Sequence, residues 1–235
     1  MGEIVKSLLT DQHLYRFSAD ILMLVRQNAH IVSKIPDDSG LIFHLNLSSI
    51  FLGGSFLEAN LNEDIAQCAH APSPDIKPTP QFWLTLEEMQ KDLSAVEKWN
   101  LIAATRGGQQ WNAAAEPYQS YDTLVALRNE LVHFKGRYIV DNSPPIKRLK
   151  PLIDRFKSKK HWKLDAMNVD PWLVSLVSSK DLALWIDSAI FNINARKDEL
   201  LLGYTPKSEL EKDTRQMIDL SRVTGHFKTS HERSN

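Results

Sequence analysis

Ile42-Phe-His-Leu-Asn-Leu-Ser-Ser-Ile-Phe-Leu-Gly-Gly-Ser-Phe-Leu-Glu-Ala-Asn-Leu-Asn-Glu-Asp-Ile65 is apolar on nearly every side of a helical wheel. Successive residues of a helix turn by about 100°, so Ile42, Leu45, Leu47, Ile50, Phe51, Leu52, Phe56, Leu57, Leu61 and Ile65 leave no broad polar face. A helix of this kind belongs in the middle of a bundle. Asp38 or Ser39 is placed to cap it, it is expected to run to about Ala69, and Gly53-Gly54 within it permits close backbone approach.

The segments on either side share the helical period, and none alternates as a strand would. Leu14, Phe17, Ile21, Leu24, Val25, Ile31 and Val32 predict a helix from about Asp11 to Ile35, ending before Pro36. Pro72, Pro74, Pro78 and Pro80 make Ala71 to Gln81 an extended connector. Thr85-Leu-Glu-Glu88 has the form of a capping box and predicts a third helix through about Ala103, broken by Arg106-Gly-Gly. Toward the C-terminus, Ser178 or Ser179 caps a helix carrying Leu182, Trp185, Ile186, Ala189, Ile193 and Leu200, stopped by Gly203. Thr205-Pro206 opens a last helix to about Val223. The chain thus reads as all-α, a single helical domain over residues 1–223 with a polar, mobile tail over 224–235.

One helix breaks the pattern. In Leu124-Val-Ala-Leu-Arg-Asn-Glu-Leu-Val-His-Phe-Lys-Gly136, expected to be helical from about Ser120 to Lys135 and closed by Gly136, Leu124, Leu127, Leu131 and Phe134 form an apolar stripe. Tyr121, Val125 and Val132 widen it, and Arg128 falls between the two sets. A guanidinium directed inward is costly unless an anion, a partner subunit or a polar pocket receives it. Asn129 and His133 lie one turn apart at the edge of the same arc.

With 43% apolar and 24% charged residues the composition is that of an ordinary soluble protein. No leader pattern opens the chain and no unbroken apolar run of about 20 residues is present, so a cytoplasmic protein without a membrane span is expected. The lone cysteine, Cys68, excludes an intrachain disulfide. The eight histidines show no metal-ligand spacing, and Cys68-Ala-His70 is too small a cluster for zinc, so neither metal nor cofactor is expected.

The net charge of −1 hides a basic run: Lys147, Arg148, Lys150, Arg155, Lys157, Lys159, Lys160 and Lys163 stand against Asp154 alone, with His161 and Trp162 among them. Cations mixed with an aromatic side chain suit single-stranded RNA, by phosphate neutralisation and base stacking. A solvated surface loop is the competing reading.

Arg128-Asn129-Glu130-Leu131-Val132-His133 resembles the signature of the HEPN superfamily, in which an arginine, commonly followed by a polar residue, precedes a histidine by four to six positions on a late helix. Ser55-Phe-Leu-Glu-Ala-Asn60 is similar to a polar element packed beside that helix in some members. The resemblance covers about residues 11–136, with a helical extension over about 147–223. It implies a helical bundle, dimerisation through the motif helices and, often, metal-independent ribonuclease activity. Many such proteins serve in toxin-antitoxin or antiviral systems, so a cognate antitoxin or inhibitor is an expected partner; others are non-catalytic interaction modules. Where one subgroup has a tyrosine two residues after the histidine, this chain has Lys135, and modification of that kind is not supported.

RNA cleavage without metal needs a base, an acid and a cation at phosphorus. His133 fits the first two roles because imidazole titrates near neutrality. Arg128 would hold the phosphate through its planar fork of donors, and Asn129 would orient the imidazole or contact phosphate. Each motif supplies a single histidine, so an isologous homodimer is expected to assemble both in one cleft. Against this stands a structural reading, in which Arg128 pairs with Glu58 and fixes helix register. Glu58 and Asn62, one turn apart, are read as supporting polar groups.

Overall fold

The computed structural model describes residues 15–70, 79–133, 149–157 and 172–202. Among them are eight helices and no strand: α1 (Phe17–Lys34), α2 (Leu41–His70), α3 (Pro80–Met89), α4 (Ala95–Arg106), α5 (Tyr118–Val132), α6 (Lys150–Lys157), α7 (Trp172–Val177) and α8 (Lys180–Leu202). The all-α expectation holds. The expected helix over 205–223, the polar tail and Gly136 lie outside the described residues.

α2 is the axis. α1, α3, α4, α5, α7 and α8 all pack on it, and Ile50, Phe56, Leu57, Leu61 and Ile65 are sealed from solvent. By length and composition α2 also suffices to cross a membrane. The sequence reading missed this because neutral polar residues interrupt the apolar run. In the bundle those residues are engaged: Asn46 Nδ2 donates to the carbonyls of Val177 and Ser179 at 2.7 and 2.8 Å, and Asn60 Nδ2 donates to Asn194 Oδ1 at 3.0 Å.

Two boundaries differ from expectation. The third predicted helix is two, and the capping box lies elsewhere. Thr85 is already inside α3, where its hydroxyl donates back to the Gln81 carbonyl at 2.9 Å and is lost to capping. α3 instead begins at Pro80, whose ring suits the first helical position. The box that forms is Ser94-x-x-Glu97 at the start of α4: Glu97 accepts from the Ser94 backbone at 2.8 Å while Ser94 Oγ accepts from the Glu97 backbone at 3.3 Å. α4 ends on Gly107, whose φ of 71° is left-handed.

The basic run is helical in part, not a loop throughout. Leu149, Leu152, Ile153 and Phe156 turn into the core from α6, and on its outer side Lys150 pairs with Asp154 at 2.5 Å. α7, another short helix, has no counterpart in the sequence reading.

The first turn of α1 has no side-chain cap of its own. A tertiary one replaces it: the Ser18 backbone N–H and hydroxyl donate to the two carboxylate oxygens of Glu63 on α2, at 2.8 and 2.5 Å. α8 is tied to α2 by buried charges. Lys197 Nζ lies 2.6 Å from Asp64 and 2.8 Å from Asp198, and Arg16 stands 3.5 Å from Asp64 on the other side. Replacing one member of a buried pair strands the other. Lys197→Met is therefore expected to lower unfolding free energy by about 3 kcal/mol, with Asp64→Asn recovering part of the loss in the double variant. Urea denaturation of the three variants measures this.

Cys68 lies near this network. Burial, and secondarily the charge of Asp64, push its thiol up to about 11, against the opposing pull of Arg106, Arg16 and Lys197. A raised pKa favours the neutral thiol, so its contribution to stability is complete below the ordinary thiol pKa and disappears as pH climbs toward 11. At pH 8 the folded protein should react with iodoacetamide at least tenfold more slowly than the urea-unfolded chain. Equal rates in a labelling time course would contradict this assignment.

Candidate functional site

α5 approaches α2 where α2 lacks side chains. A Cβ on Gly53 would lie 2.5 Å from Ile190 Cδ1 and 3.3 Å from Leu124 Cδ2; one on Gly54 would lie 2.9 Å from Arg128 Cβ. Tyr121, Leu124 and Leu127 fill the inner face of α5. The Tyr121 hydroxyl accepts from the Leu57 backbone N–H at 2.9 Å. Burial raises its pKa well above the ordinary phenol value, so Tyr121 remains neutral.

This crossing fixes Arg128. Its aliphatic stem lies over Gly54, Nη1 donates to Asn129 Oδ1 at 2.8 Å and Nη2 reaches Ser55 Oγ at 3.4 Å. The Ser55 hydroxyl hydrogen is given to the Phe51 carbonyl at 3.2 Å, leaving a lone pair toward the guanidinium. Both partners are neutral. No carboxylate among the described residues lies within ion-pair distance of Arg128, and the side chain is half-buried, open on one side to solvent.

The proposed Arg128–Glu58 register pair does not form. Glu58, with its side chain 61% exposed, faces Lys98 Nζ at 3.6 Å instead. Lys98 is wholly buried and donates to Asn62 Oδ1 at 2.8 Å. The sequence reading missed Lys98, although a signal was present: it stands four residues before Ile102 on the arc that also buries Trp99 and Ala103. Ser55, Glu58 and Asn62 share one side of α2, and Arg128 meets this polar stripe at Ser55, while Glu58 and Asn62 meet Lys98.

His133 stands apart from that stripe. α5 ends at Val132, three residues earlier than expected, and His133 is its exposed C-cap, with a backbone N–H bonded to the Asn129 carbonyl at 3.0 Å. Among the described residues its imidazole has no hydrogen-bond partner. Asn129 is also exposed and spends its side-chain oxygen on Arg128, not on His133. Val132, expected to widen the apolar face, is 51% exposed.

Of the basic residues read as RNA contacts, Lys150 and Arg155 project from α6; Lys150 is paired with Asp154, and Arg155 also has a partner. Lys147, Arg148, Lys159, Lys160, Trp162 and Lys163 lie outside the described residues, as does the Lys157 side chain. Among the described residues no group of three or more histidine, cysteine or carboxylate side chains could hold a metal ion. Compared with family models, curated proteins and solved structures, the chain finds no match.

Gly54→Ala tests the crossing. The added methyl meets the root of the Arg128 side chain, not its flexible end, so α5 must shift. Despite the roughly 1 kcal/mol that alanine adds to helix propensity, overpacking of about 1–3 kcal/mol should dominate. A lowered urea midpoint is expected.

Proposed function

We propose that the chain is a cytoplasmic, metal-independent RNA endonuclease acting as a homodimer, with Arg128 at the phosphate and His133 in proton transfer. The observation that carries this reading is the guanidinium of Arg128, half-buried and hydrogen-bonded to neutral groups alone among the described residues. A cation so held has donors to spare: its fork offers five N–H groups, and a phosphodiester is the anion that matches them two at a time.

In the proposed reaction the ribose 2′-hydroxyl oxygen attacks the adjacent phosphorus as one His133 takes its proton. The bond from phosphorus to the 5′-oxygen breaks, and His133 of the partner subunit returns a proton to that oxygen. The products are a 2′,3′-cyclic phosphate and a 5′-hydroxyl. Arg128 stabilises the charge that builds on the non-bridging oxygens. Dimerisation through α5 is supported by exposed apolar residues beside the guanidinium, Val132 one turn after it and Phe51 one turn before Ser55. An antitoxin or inhibitor protein is the expected regulatory partner.

A second reading draws on His133. Its imidazole stands at a helix end without an orienting partner among the described residues, which suits a non-catalytic module that dimerises and binds RNA or protein through the same helix. Cleavage of mixed RNAs in chelator separates the two. Arg128→Ala should slow cleavage by about 10²–10³-fold and His133→Ala by about 10²–10⁴-fold, with circular dichroism unchanged. A folded wild type that leaves RNA intact would favour the module.

A further inference from the structure

A cleft of about 480 Å³ opens beside the polar stripe of α2, lined by Glu58, Asn62, Glu63, Ala66, Gln90 and Lys91. Its polar groups are unevenly satisfied. Glu63 is held by Ser18. Glu58 accepts no hydrogen bond among the described residues, its nearest cation being 3.6 Å away. Asn62 has its oxygen fixed by the buried ammonium of Lys98, which leaves its amide N–H groups as the free end. Gln90 also lines the cleft, but its Oε1 is cut off from solvent with no hydrogen-bond partner, so a ligand entering from solvent meets Glu58 and Asn62 first.

We propose that this cleft is a subsite for an unpaired guanine base of the RNA strand. The Watson–Crick edge of guanine presents an acceptor, O6, followed by two donors, N1–H and the N2 amine. The cleft presents the complement one helical turn apart: Asn62 Nδ2 donates to O6, and the Glu58 carboxylate accepts from N1–H and N2–H together. Adenine and cytosine each offer the carboxylate one donor group, and uracil flanks its single N–H with two acceptors that the carboxylate repels. Lys98 acts as a positioning residue, since it touches Asn62 and not the base. Splaying a base from a single strand is the usual mode of sequence reading in RNA. Ser55, against Arg128, and Asn62 stand on one side of α2 about 10 Å apart along its axis, a separation that a short single strand bridges.

The inference rests on RNA as the ligand of Arg128, but the two fail separately. Calorimetric titration of the full chain, in chelator, with the 5′-monophosphates of guanosine, inosine, adenosine, cytidine and uridine tests it directly. Saturable guanosine monophosphate binding is expected, weakened about tenfold or more with inosine, which lacks the N2 amine, and by Glu58→Gln. Glu58→Gln keeps the side chain's shape and leaves the Asn62 oxygen on Lys98; circular dichroism checks that the variant stays folded, and the inosine comparison on the wild type decides the subsite independently of it. A single-stranded oligonucleotide containing one guanine should compete, and its failure would overturn the strand as the source of the base. Equal binding of all five nucleotides, no saturable binding, or guanosine monophosphate binding untouched by Glu58→Gln would each overturn the subsite. Base binding without RNA cleavage would retire the nuclease and keep the cleft; cleavage blind to guanine, without nucleotide binding, would do the reverse.

Discussion

The bundle depends on two missing side chains. At Gly53 and Gly54 the central helix lets α5 and α8 come close enough for Leu124, Ile190 and the stem of Arg128 to rest on bare backbone. From that approach follow the depth at which Tyr121 reaches the α2 backbone, the side of α2 that Arg128 overlies, and the neutral hydroxyl it meets there. The guanidinium is placed by packing along its stem, and among the described residues its charged end meets two neutral side chains.

Three inward cations show how differently one fold treats positive charge. Lys197 is closed in by two carboxylates, so it binds α8 to α2 and has little left to offer a ligand. Lys98 is sealed and holds an amide in place, with a carboxylate at longer range. Arg128 has no counter-ion among the described residues. Buried pairs are weak contributors to net stability but severe when halved, so the first cation acts mainly as a register device, whereas the third rests on neutral partners among the described residues.

Much of the architecture was legible because it rests on period. A helix apolar all round must be enclosed, and α2 is; the ends of α1 and α8 fall near Pro36 and Gly203 as their flanking residues imply. What was not legible involved competition between local options. Thr85 and Ser94 both stand three residues before an acid, and the choice between them was decided by whether the hydroxyl already sat within a helical turn. α6 was hidden by its charges, although Leu149, Leu152, Ile153 and Phe156 carry the helical spacing. Lys98 and Lys197 escaped notice since lysine is ordinarily assigned to the surface, yet each sits on an apolar arc just as Arg128 does. Which acid meets which base across the core is a tertiary fact: Glu58 was within plausible reach of Arg128 by sequence and turned to Lys98 in the fold.

Glu63 belongs at once to the first turn of α1 and to the wall of the cleft. A ligand that draws this carboxylate toward itself removes the acceptor that holds the opening amide of α1, and fraying of α1 releases the carboxylate into the cleft. For such a ligand, occupancy of the cleft and order in the first turn of α1 would be thermodynamically coupled through one side chain, and by reciprocity each would modulate the other to the same extent.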